Sequence, residues 1–88
     1  MKNDTFVLKG QAVKVARYLK GMKLNDFAKK VGIDPDYLSK IENGERGISE
    51  RNQGLLLRGL IYKLKLSYEE IAAIHILVEY VKGGIKNG

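Results

Sequence analysis

Cysteine is absent from the 88-residue chain, so neither a disulfide nor a thiolate metal site can form within it. Small secreted domains usually lean on one or the other, which makes a reducing, cytoplasmic setting the expectation. Histidine is scarce too. His75 stands alone with no cysteine beside it, and such a residue reads as a packing or surface group, so no metal and no cofactor is expected. Long apolar runs are also missing: the longest, Ile71 to Val78, is broken by His75, and Phe6-Val7-Leu8 is too brief for a secretory leader. Neither length suits a bilayer, and no membrane partner is expected. Gly44-Glu45-Arg46-Gly47 lacks the glycine-lysine ending of a phosphate loop, and no set of nucleophile, base and acid stands out. No enzyme and no catalytic residue is expected.

What is present is a globular balance. Apolar residues make up 44% and charged residues 30%, enough apolar material for one small all-α domain with a compact core. The net charge of +6 is unevenly placed. Residues 1–66 carry 14 Lys and Arg against 7 Asp and Glu, a balance of +7, whereas residues 67–88 carry 2 against 3, a balance of −1. A basic block of this kind favours a polyanionic partner without requiring one.

Apolar spacing divides the chain into helices. Met1 to Thr5 is polar, and residues 1–9 read as an arm with Phe6, Val7 and Leu8 tucked beneath the domain. Ala12, Val13, Ala16 and Leu19 recur at helical steps and Gly21 follows as a stop, which gives helix 1. Leu24, Phe27, Ala28 and Val31, closed by Gly32, give a short helix 2. Asp34 can cap the next helix and Pro35, the only proline, suits its first position; helix 3 carries Leu38 and Ile41 inward and ends near Asn43-Gly44. Ser49 caps helix 4, which runs to Leu64 or Leu66 with Leu55, Leu56, Leu57, Leu60, Ile61 and Leu64 on a broad apolar face. Ser67-Tyr68-Glu69-Glu70 has capping-box spacing and opens helix 5, which ends at Gly83-Gly84 and leaves residues 83–88 as a flexible tail.

Helices 2 and 3 meet the demands of a tight helix-turn-helix. Ala28 is small where helix 3 approaches, Gly32 opens the turn, Ile33 plugs it, and Leu38 and Ile41 anchor helix 3. With Gly10-Gln11, Val13-Lys14, Arg17 and Lys20-Gly21 in helix 1, and Tyr37-Leu38-Ser39-Lys40-Ile41-Glu42-Asn43-Gly44 in helix 3, the sequence resembles the lambda-repressor-like, or XRE-type, family. The resemblance covers residues 10–66. It implies a bundle of four or five helices and a transcriptional regulator, in particular a repressor of phage or other mobile-element type, with helix 3 in the major groove of double-stranded DNA.

The same resemblance assigns roles. Arg17 and Glu42 correspond to an ion pair between helices 1 and 3, where the planar guanidinium suits a carboxylate. Pro35, Asp36, Ser39 and Lys40 fall at base-contacting positions, with Tyr37 as an addition. Lys40 can reach guanine or a phosphate, and Asp36 can accept from cytosine or merely favour the helix dipole. Phosphate contacts fall to Lys23, Asn25, Asn43 and Arg46. Lys23 and Leu24 depart from the serine or threonine and the glutamine common in relatives, so Leu24 is assigned to the core. In residues 67–82, Ile71, Ile74, Leu77, Val78 and Val81 form a stripe that either completes the core or makes a homodimer seam. An antitoxin that holds a toxin through helix 5, or a protein-binding adaptor that has lost DNA binding because Asp34 and Asp36 repel phosphate, is the alternative on the same fold.

Overall fold

The computed structural model describes residues 7–87, with side chains described through residue 81. Met1 to Phe6 and the side chains of the expected tail thus lie outside the described residues. The described residues form five α-helices: α1 Gly10–Lys20, α2 Leu24–Val31, α3 Pro35–Glu42, α4 Glu50–Arg58 and α5 Tyr68–Asn87. Several boundaries have a local cause. Gly32 ends α2 with φ +79°, a left-handed conformation that glycine adopts without steric cost. Asp34 opens α3 by accepting a hydrogen bond from the Tyr37 amide at 3.1 Å, with Pro35 behind it. Ser49 does the same for α4 by accepting from the Asn52 amide at 3.2 Å. At α5 the capping box closes in both directions: Ser67 Oγ accepts from the Glu70 amide at 3.1 Å, and the Ser67 amide donates to Glu70 Oε1 at 2.8 Å.

Helix 4 does not continue as a single α-helix. Gly59–Lys63 forms a π turn, marked by the Leu64 amide donating to the Gly59 carbonyl at 3.0 Å. Leu56, Leu60 and Leu64 are all buried, and four-residue spacing drifts off the face of a 3.6-residue helix; the wider turn brings the third leucine back inward. The chain then reverses through Lys65, a non-glycine residue at φ +60°.

One core holds these elements together, with Phe27, Leu38, Ile41, Leu56, Leu60 and Val13 fully enclosed. α1 packs against α3 and α5, and α2 against α3, α4 and the π turn. Two contacts leave no room for a side chain. A Cβ on Gly10 would meet the carbonyl of Ile41, and one on Gly59 would meet Val31 and Phe27. The start of the described chain is clasped to α4: the Leu8 amide donates to Gln53 Oε1 at 2.8 Å, and Gln53 Nε2 donates back to the Leu8 carbonyl at 3.2 Å. Lys9 reaches α5, donating from its amide to His75 Nε2 at 3.0 Å and pairing its ammonium with Glu79 at 3.0 Å.

Three further expectations change. Leu19 is 67% exposed rather than inward. The buried face of α1 consists of Ala12, Val13, Ala16 and Arg17, and at about 100° per residue Leu19 sits roughly a quarter turn from its centre. The charged Arg17 takes the inward position instead. On α5 the apolar stripe splits: Ile71, Ile74 and Val78 are in the core, whereas Leu77 is 53% and Val81 44% exposed. The three core residues follow i, i+3 and i+7, and the other two lie on the flank of that narrow line. They alone of the five remain available to a partner. Finally, α5 does not stop at Gly83-Gly84 but runs to Asn87. Glycine inside a helix costs only about 1 kcal/mol relative to alanine, which weakens the helix without ending it.

Candidate nucleic-acid interface

The turn between α2 and α3 is closed by the amides of Gly32 and Ile33, which both donate to the Ala28 carbonyl at 2.9 and 3.0 Å. Ile33 is buried beneath it. α3 is then fixed from its far end. Arg17 Nε donates to Glu42 Oε2 and Nη2 to Oε1, both at 2.7 Å, a bidentate fork between α1 and the last residue of α3. A third bond from Arg17 Nη1 to the Met22 carbonyl, at 2.8 Å, ties in the α1–α2 connection. Both partners are buried, with Arg17 5% and Glu42 2% exposed, so water does not screen them. The hydrogen bond to Glu42 holds the Arg17 guanidinium above its ordinary pKa, an effect that burial opposes and the Glu42 charge reinforces. Its charge is therefore retained throughout the pH range in which a protein is handled.

Between these two fixings α3 presents its outer side chains. Asp36 and Lys40 are exposed, and Pro35 and Ser39 are half-buried at their edge. Tyr37 is placed differently. It packs against the core, and its hydroxyl accepts from Asn52 Nδ2 at 3.4 Å and lies 3.5 Å from the Gly47 carbonyl. It therefore links α3 to α4 and the intervening loop, a role that its sequence position does not reveal because Asn52 lies 15 residues away.

The rim residues Lys23, Asn25, Asn43 and Arg46 are all exposed. At the α2 end, Lys23 occupies the N-cap with no side-chain hydrogen bond to the first turn, so amides of that turn remain available to an anion. Leu24 beside it is half-buried against the core. At the α3 end, the amides of Glu45 and Arg46 donate to the Lys40 carbonyl at 2.8 and 3.3 Å, which folds the loop back beside the helix. Asn43 Oδ1 accepts from Lys14 Nζ at 3.4 Å, bringing a cation of α1 to the same rim. Lys14 went unassigned in the sequence because nothing local connects it to α3. Exposed Arg51, in the first turn of α4, also escaped notice for want of a spacing signal.

A short supporting helix, a left-handed turn and a second helix with a bare polar face define a helix-turn-helix DNA-binding domain. The profile of the helix-turn-helix family matches residues 13–60, more than half of the chain. The protein belongs to that family, in its lambda-repressor-like, XRE-type branch of DNA-binding regulators. No curated protein matches the chain, and no solved structure does. No described helix is long and apolar enough to cross a membrane, and no described cluster of His, Cys, Asp and Glu has the makings of a metal site.

Proposed function

We propose that the protein is a sequence-specific transcriptional repressor that lays α3 in the major groove. The observation that carries this reading is the way α3 is held: the Asp34 cap fixes its start and the Arg17–Glu42 fork its end, leaving Lys40 and Asp36 bare between them. Lys40 and Ser39 read base edges, with Pro35 and Asp36 at the entering end. Tyr37 acts through Asn52 and Gly47 as a positioning residue rather than through a base. Lys23, Asn25, Asn43 and Arg46 grip phosphates on either side, joined by Lys14 and Arg51.

The regulator works as a homodimer. Leu77 of α5 and exposed Leu19 of α1 line a groove of about 440 Å³ that carries Lys20 and Glu70. Opposite charges on one groove suit a two-fold contact, in which each copy sets its lysine against the other's glutamate. A dimer calls for half-sites about 34 Å apart.

Selection of bound sequences from a random DNA pool tests the reading, with recovery of a palindrome expected. Lys40→Ala should relax base preference, whereas Arg46→Ala should weaken all sequences alike and flatten the salt dependence. Failure to enrich any sequence, or binding indifferent to salt, would favour an antitoxin or protein-binding adaptor. That second reading draws on Ile76 and Tyr80, which stand 69% and 75% exposed on α5.

A further inference from the structure

A cleft of about 270 Å³ lies where the end of α2 meets the end of α4 and the π turn, lined by Lys30, Val31, Leu55, Arg58, Gly59, Tyr62 and Lys63. Val31, Leu55 and Gly59 supply its apolar walls. Around them stand three cations and a phenol, with no carboxylate among the lining residues. Lys30, Arg58 and Lys63 are each exposed, and none forms an ion pair among the described residues. Tyr62 is 63% exposed despite its size.

Each cation sits in the last turn of its own segment, where it favours the helix dipole. Dipole compensation accounts for one charge at a time; it does not gather three of them around a concave surface with an exposed aromatic ring. Like charges converging without an acid repel one another, and an anion relieves that repulsion. The π turn is what completes the group. By widening the helix at Gly59–Lys63 it buries Leu60 and Leu64 while Tyr62 and Lys63 join Arg58 and Lys30 at the cleft.

We propose that this cleft binds a phosphate group, with Lys30, Arg58 and Lys63 neutralising its charge and the Tyr62 hydroxyl adding a donor. The site is separate from the outer face of α3 and does not depend on how that face reads DNA. The phosphate can come from a free mononucleotide or from a nucleic-acid backbone. Three cations around a volume this small fit one phosphate rather than a large ligand.

Titration of the isotope-labelled full chain followed by NMR tests the site. Inorganic phosphate should shift the amide signals of Gly59, Tyr62 and Lys63 saturably, beyond any change given by chloride at the same ionic strength. Arg58→Gln combined with Lys63→Gln should weaken that binding by about tenfold or more. Lys29→Gln removes a neighbouring charge that does not line the cleft and should leave binding within about twofold. A response to 5′-deoxyadenylate that duplex DNA does not share assigns the phosphate to a free nucleotide; a response shared with duplex assigns it to a backbone, and both support the site. Shifts equal to those given by chloride, or an equal loss in Lys29→Gln, would show a general charge effect and overturn the proposal. So would unaltered phosphate binding in the double variant.

Discussion

α3 and α5 are held in different ways. α3 is eight residues long and is fixed by specific polar bonds at both ends, the Asp34 cap and the Arg17–Glu42 fork. α5 is twenty residues long and, beyond the capping box at its start and the Lys9 bonds to His75 and Glu79, is seated by a narrow apolar line, Ile71, Ile74 and Val78, with Leu77 and Val81 left bare on its flank. Apolar packing is tolerant of direction, whereas a bidentate fork works at one geometry. The helix proposed to read sequence is thus set by angle, and the helix proposed to offer a partner surface is set by area.

Breaking the fork should have the largest effect. Glu42→Ala leaves the Arg17 guanidinium buried without its partner and should cost about 3–5 kcal/mol, read as a large fall in the denaturation midpoint. Arg17→Ala added to it should cost much less than the sum, since the second change removes the stranded charge. Additive losses would mean the two residues act apart. Because the raised pKa of Arg17 lies beyond neutral pH, its contribution should be fully present below the ordinary arginine range. It should fade only as strongly alkaline pH passes the raised value.

Neighbouring substitutions on α5 sharpen the other half of the contrast. Ile74→Ala opens a cavity in the core and should cost about 2–5 kcal/mol. Leu77→Ala, three residues on, should stay within about 0.5 kcal/mol in the dilute monomer while weakening self-association in analytical ultracentrifugation. Comparable losses of monomer stability at both positions would place Leu77 in the core after all. One effect is a gain: Lys65→Gly removes the strain of a left-handed non-glycine residue after the π turn and should add up to about 1 kcal/mol by chemical denaturation.

The sequence yields most where the physics is local. Gly32, Asp34, Pro35, Ser49 and the Ser67–Glu70 box act within a few residues of themselves, and so the end of α2 and the starts of α3, α4 and α5 could be read directly. The Arg17–Glu42 pairing joins residues 25 apart and came only through family resemblance. What stayed hidden depends on distant neighbours. Helical spacing proposed Leu19 for the core, but nothing in the spacing says that a paired arginine occupies the inward position. Nor does a 3.6-residue period separate a leucine that faces the core from one on the flank, as with Ile74 and Leu77. The turn of Tyr37 toward Asn52 is of the same kind.

The Gln53 carboxamide closes a span of 45 residues on Leu8 with two hydrogen bonds. A covalent link over such a span would contribute about 4 kcal/mol, chiefly by restricting the unfolded chain; two hydrogen bonds contribute about 1 kcal/mol each and restrict only the folded one. A chain without thiols has in this way a drawstring rather than a rivet. The Leu8 amide consequently serves as a reporter, for its exchange with solvent deuterium registers each moment at which α4 and the leading strand of chain part company.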